Sequence, residues 1–234
     1  DFKKIVSKVC ENTEMRGKNL FYAKSDSSLS NNGVEFVSHP ITYNAIKSID
    51  WDDMFAKFRN QIQSYNDNDC GIHIHMSRNF MSSLEMYKFM KMMYKNKEFT
   101  QFIAQRNTSS WAGIDLSHLD DYVKFSNRMY DAESYEYTKF VKARFGQRYS
   151  ALNFNNSSTI ECRIFKGNLK STQILKNVEF LFSLKEFCAS NSIKNCVLNN
   201  YIGHVKSNYK SYPNLNRFFN ENKLQLIKSM KGNK

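Results

Sequence analysis

The run Gly71-Ile72-His73-Ile74-His75-Met76-Ser77 sets a metal- or phosphate-binding side chain at every second position, with apolar residues between. A strand alternates its side chains between two faces, so His73, His75 and Ser77 share one face and Ile72, Ile74 and Met76 the other. Neutral imidazole ligates divalent metals, and a histidine or hydroxyl can donate to a phosphate oxygen. The plainer alternative is an exposed strand face with two incidental histidines, in a chain that holds five. A second stretch, Ile160-Glu161-Cys162-Arg163-Ile164, puts Glu161 and Arg163 on one strand face, opposite Ile160, Cys162 and Ile164. A carboxylate suits a hard cation such as Mg2+, and a guanidinium clamps a carboxylate or phosphate through two parallel hydrogen bonds. The alternative there is a surface ion pair, worth roughly 0 to 1 kcal/mol. Glu35 is a lone acid between Val34 and Phe36 on a short strand, and alone means little. Arg144 and Arg148 precede a further strand and suit either phosphate contacts or a solvated surface.

These side chains need a scaffold, and the spacing of apolar residues predicts one. A short helix is expected over 2–10 and a polar segment over 11–19, whose Glu11 and Glu14 do not alternate with apolar residues as a strand would. Strands follow at 20–23 and 33–37, separated by Ser, Asp and Asn residues that favour turns. One or two helices are expected over 41–64, then the histidine strand. Ser82-Ser83-Leu84-Glu85 offers a capping box for a helix to about Tyr94. Helical spacing resumes through Phe99, Phe102 and Ile103, and again over 119–129. Residues 149–154 and 159–165 read as paired strands around a four-residue loop, Asn155 to Ser158. An amphipathic helix of about 16 to 20 residues then presents Ile174, Leu175, Val178, Leu181, Phe182, Leu184 and Phe187. Beyond Ser190 the pattern is less periodic, and 190–234 reads as a peripheral extension of a single domain spanning 1–234.

Composition bounds the partners. With 234 residues, 41% of them apolar, the chain can bury a substantial core and is not of disordered type. Five cysteines without a CxxC pair suggest neither a disulfide framework nor a zinc site, which fits a reducing compartment. No apolar run reaches the roughly 18 to 20 residues that span a bilayer, and the first residues do not form a signal peptide, so a soluble, cytoplasmic chain is expected. The chain begins with Asp1, so segments upstream of it are expected to have been lost or processed away. The formal charge of +12 suits a polyanion such as nucleic acid, although the scattered lysines and the abundance of Lys, Asn, Tyr and Ile equally reflect an AT-rich coding sequence.

Taken in order, Gly-x-His-x-His-x-Ser, then Arg148, then Ile-Glu-x-Arg resembles glutamine synthetases and glutamate–cysteine ligases, and more closely the small amidoligases of that superfamily found in bacteria and phages. The resemblance also covers 21–29, 33–40 and 102–106, and so most of the chain. It implies an α+β fold, a curved antiparallel sheet with helices packed on its outer face and a glutamine-synthetase-like catalytic site on the concave face. It implies a ligase that phosphorylates a carboxylate with ATP and lets an amine attack the acyl phosphate, with ATP and Mg2+ as cofactors. By carry-over, Glu35, His73 and Glu161 are metal ligands, His75 and Ser77 lie near the nucleotide, Arg148 meets phosphate, and Arg163 meets the substrate carboxylate or acyl phosphate. Asp26 and Arg106 match less decisively. Family members open with a Gly-x-Glu-x-Glu strand whose acids complete the metal cluster, and this chain shows none. A second reading is therefore a non-catalytic structural or interaction protein that keeps the ligase fold, such as a phage component in host cytoplasm or virion. A third, resting on charge, is a nucleic-acid-binding protein. Carboxylate and amine substrates, amino acid or peptide, are the partners expected of the first.

Overall fold

Both periodicities expected from the sequence are realised in the computed structural model, which describes residues 14–15, 18–26, 33–56, 60, 64, 70–107, 112–128 and 150–231. The expected helix over 2–10 lies outside the described residues. The chain divides into two compact units, Asp1–Gly71 with Gly167–Leu175, and Ile72–Lys166 with Lys176–Lys234.

In the first unit, β1 (Glu14–Met15) and β2 (Lys18–Asn19) pair as a minimal hairpin, within the segment expected to be an irregular polar connection. β3 (Phe21–Ser25) and β4 (Val34–Ser38) pair antiparallel, with Phe21 opposite Ser38 and Lys24 opposite Glu35. Two helices follow, each capped by a side chain at its start. The Thr42 hydroxyl accepts from the Ala45 N–H at 3.2 Å for α1 (Tyr43–Lys47). Asp50 accepts from the Asp53 N–H at 2.9 Å for α2 (Trp51–Ala56). Leu20, Phe21, Trp51, Met54 and Phe55 make the core, with the Phe21 ring edge-on to Trp51 at 5.9 Å. The Trp51 indole N–H, buried with its ring, donates to the Ile46 carbonyl at 3.0 Å. At Gly167 a methyl group would stand 2.5 Å from the Ser64 carbonyl oxygen, so close backbone approach requires glycine there.

The second unit is built on a three-stranded sheet, β5 (Gly71–Ser77), β7 (Thr159–Lys166) and β6 (Leu152–Asn153), with β7 in the middle. The class is α+β with small antiparallel sheets of two, two and three strands among the described residues. The hairpin loop departs from expectation. Leu152 faces Cys162 and Asn153 faces Glu161, one residue out of the register that a loop of Asn155 to Ser158 alone would set. The cause is local: Asn156 Oδ1 accepts from the N–H groups of Ser158 and Thr159, and Asn153 Oδ1 from Asn155, turns that asparagine favours.

Around this sheet lie α3 (Ser83–Lys95), α4 (Lys97–Ala104), α5 (Ser117–Arg128) and α6 (Ser171–Ser190), then α7 (Leu198–Ser207), α8 (Pro213–Glu221) and α9 (Lys223–Lys231). The capping box of α3 is complete: the Glu85 N–H donates to the Ser82 hydroxyl, and the Ser82 N–H to the Glu85 carboxylate at 2.7 Å. The helix packs an unusually methionine-rich face, Met86, Met90, Met92 and Met93 with Phe89, into the core. None of the helices among the described residues is long and apolar enough to cross a membrane.

Two expectations about the C-terminal half change. Instead of a plain amphipathic helix, α6 is buried over much of its surface, and its inward side includes Lys176, Asn177, Glu179 and Ser183. Most of these polar groups find partners. Lys176 Nζ caps the Ile103 carbonyl at the end of α4 and lies 4.6 Å over the Phe218 ring, while the Ser183 hydroxyl meets Tyr201 Oη at 2.8 Å. The residues after Ser190 form three helices that enter the same core through Tyr201, Val205, Leu215 and Phe219, where a peripheral extension was expected. Glu179, 1% exposed, fastens them: its carboxylate takes the Leu215 N–H and the Asn214 amide, each at 2.7 Å, at the start of α8. Donors at a helix start have no intrahelical partner, and a carboxylate also suits the positive end of the helix dipole.

Glu179→Ala should therefore lower stability by about 2 to 4 kcal/mol in urea unfolding, because it strands buried donors as well as emptying a site, while Glu179→Gln should cost less. Lys176 gives a pH signature. Burial pulls its ammonium down from the usual lysine value of 10.5 to about 7. Between those values the unfolded chain holds the proton and the folded chain does not, so this group adds stability as pH rises, by roughly 1.4 kcal/mol per unit. Lys176→Met is expected to flatten the rise in stability between pH 7 and 10.5 and to melt higher than the parent at pH 6.

Candidate active site

Alternation along β5 buries Met76, packs Ile72 and Ile74 against the core, and turns His73, His75 and Ser77 to the opposite face. On β7 the same rule buries Ile160, Cys162 and Ile164 and puts Glu161 and Arg163 on the other face. The Gly167 N–H to Cys70 carbonyl and Arg78 N–H to Ser158 carbonyl bonds flank this strand pair and run it antiparallel. Because β7 is the middle strand, its polar residues stand between the histidines of β5 and Asn153 of β6.

The Glu161 carboxylate, on a residue only 8% exposed, is where these side chains converge. Oε1 receives Arg163 Nη1 at 2.7 Å and His73 Nδ1 at 3.0 Å, with His75 Nε2 at 3.9 Å, while Oε2 accepts from Asn153 Nδ2 at 2.9 Å. Burial by itself raises the pKa of this carboxyl, but the hydrogen bond from His73, the Arg163 charge and the Asn153 amide outweigh it and hold the value down to about 2. Glu161 is thus ionised at neutral pH. His75 Nδ1 meets the Thr159 hydroxyl at 2.8 Å, which orients its ring. Arg163 Nε is buried and has no hydrogen-bond partner among the described residues. An orphan guanidinium N–H beside a carboxylate and a histidine is the donor that an incoming carboxylate or phosphate oxygen would satisfy.

Of the residues expected from sequence, His73, His75, Glu161 and Arg163 come together. Ser77 ends β5 with its side chain exposed and makes no capping bond to the 3-10 turn Arg78–Phe80 that follows. Glu35 belongs to the first unit, where it is exposed on β4 opposite Lys24. Asp26 also lies there, its N–H bonded to the Gly33 carbonyl, and Arg106 follows the left-handed Gln105 at the end of α4. Arg144 and Arg148 lie outside the described residues. Among the described residues no three His, Cys, Asp or Glu side chains gather as a metal cluster; His73 and Glu161 are the pair that can offer donors to a cation.

Three residues were missed. Asn153 faces Glu161 only in the observed register, and the expected four-residue loop would have paired it differently. Thr159 is legible as the first residue of β7 on the Glu161 face. Arg78, directly after β5, ties that strand to the hairpin loop: Nε donates to the Asn156 carbonyl at 2.7 Å and Nη2 to that of Phe154.

Comparison with known proteins identifies a family. The family model described as "putative amidoligase enzyme" matches residues 10–184, which include both site strands and most of α6. Neither the curated proteins nor the solved structures contain a match to the chain. Three quarters of the sequence fits that single family model, with the histidine strand and the Glu-x-Arg strand inside it, and the chain belongs to the amidoligase family.

Proposed function

We propose that this chain is an ATP-dependent carboxylate–amine ligase, working on the polar face of β5, β7 and β6. The observation that supports it best is the Glu161 carboxylate, ionised, largely out of water and holding His73, Asn153 and Arg163 in one array, in a chain of the amidoligase family. In the proposed reaction a substrate carboxylate oxygen attacks the γ-phosphorus of ATP and ADP leaves. The amine nitrogen then attacks the acyl carbon of the acyl phosphate, loses a proton, and displaces inorganic phosphate.

The residues divide the work by their chemistry. Glu161 orients Arg163 through Nη1, so the buried Nε is left to receive the substrate carboxylate or the acyl phosphate. In this reading His73 and Glu161 would hold Mg2+ through Nδ1 and Oε1, which stand 3.0 Å apart, in place of the hydrogen bond between them. Mg2+, when bound, neutralises charge on the phosphoryl group being transferred. His75 and Ser77 take the nucleotide, and Arg148 its phosphates. A free amino acid or a peptide suits both substrate roles.

The test is ADP release by the purified protein with ATP, Mg2+ and mixtures of carboxylates and amines. Glu161→Gln should lower the rate at least about 100-fold and Arg163→Lys about 10-fold or more, since a lysine cannot reproduce the fixed fork of donors. If the parent protein neither binds ATP nor releases ADP, and Glu161→Gln leaves its biological role intact, the non-catalytic reading replaces this one. A separate measurement uses metal-free buffer. The depressed Glu161 pKa means its contribution, on the order of 3 kcal/mol, is fully present above about pH 4.5 and is lost as pH falls towards 2. The melting temperatures of parent and Glu161→Gln should differ at pH 6 and converge near pH 2.

A further inference from the structure

The chain beyond the family match carries a charge pattern of its own. Residues 191–234 hold eight lysines and arginines against one acid, Glu221, a surplus of seven out of the formal +12 of the whole chain. The surplus comes from a shortage of acids more than from a block of lysines. Described cations of this segment, Lys194, Lys206, Lys210, Arg217, Lys223, Lys228 and Lys231, are all exposed. The helices bury their apolar sides, Leu215, Phe218 and Phe219 in α8, so the opposite side of α8 faces water. On that side Pro213, Asn216, Arg217, Asn220 and Glu221 follow helical spacing, and with Tyr209 from the preceding turn they line an open recess of about 500 Å3. Tyr209 is 51% exposed, and Lys210 Nζ stands 6.0 Å from its ring centre. Lys206 lies one helical turn before Tyr209 on the exposed side of α7.

We infer that this recess binds single-stranded nucleic acid. An exposed aromatic ring offers a stacking platform for a base, the flanking cations follow a phosphate backbone, and the amides of Asn216 and Asn220 suit the hydrogen-bonding edges of bases. An acidic protein segment would use the cations but has no need of an open tyrosine face beside two amides. The recess is lined by residues of α8 and the turn before it, and none of the residues gathered at Glu161 is among them, so it is independent of the proposed ligase chemistry.

The experiment is fluorescence anisotropy of the full chain with a labelled 20-nucleotide oligothymidine, between 50 and 300 mM KCl. With three phosphate contacts, log affinity should fall with log salt at a slope of about −2. Arg217→Gln and Lys206→Gln should each weaken binding about 3- to 10-fold and make the slope shallower. Tyr209→Ala should weaken it roughly 10-fold and leave the slope unchanged, because stacking releases no counterions. Lys47→Gln with Lys170→Gln, exposed elsewhere, should change nothing. All substituted side chains are at the surface, and unchanged melting curves would verify the fold. The proposal is overturned if no salt-dependent binding occurs, if Tyr209→Ala binds like the parent, or if polyglutamate of matched charge competes as well as unlabelled oligothymidine.

Discussion

A carboxylate removed from water must be surrounded by donors, and two buried glutamates set the terms on which this structure closes. Glu161 collects a guanidinium, an imidazole and an amide from three neighbouring strands. Glu179 collects a backbone N–H and an amide from the start of α8. Each draws at least one partner from a different element, His73 of β5 for Glu161 and the start of α8 for Glu179, so each fixes a register or a docking that apolar packing alone would leave loose. One orders the polar face of β5, β7 and β6, and the other attaches the C-terminal helices to α6.

The two strands of the site were legible because strand alternation is a simple rule and these segments obey it strictly. His73 and His75 on one side, Ile72 and Ile74 on the other, follow from spacing alone. The capping box at Ser82 was equally readable, because its two hydrogen bonds depend on residues three apart. What spacing could not supply was the loop. Side-chain turns at Asn153 and Asn156 shift the register by one residue, and that single residue decides that Asn153, not a neighbour, faces Glu161.

Long-range polar contacts were illegible for a different reason. Lys176, Glu179 and Ser183 look like the solvated side of an amphipathic helix until the partners Ile103, Leu215 and Tyr201 are in place, and those lie 73, 36 and 18 residues away. The C-terminal helices were under-read although Leu198, Tyr201, Ile202 and Val205 do repeat at helical spacing, because the intervening Asn199, Asn200, Gly203 and His204 are weak helix formers. Of the site residues, Glu35 is resolved within its own unit, where the structure shows its strand partner and its exposure.

The methionine-rich face of α3 bears on how such a chain can diverge. Met86, Met90, Met92 and Met93 pack beside Met76 of β5 and Met81 in one core cluster. Unbranched thioethers adjust their shape to their neighbours, so replacements around them meet less steric resistance than among branched side chains. A protein with so adaptable an interior can keep its polar strand residues fixed while the residues beneath them drift.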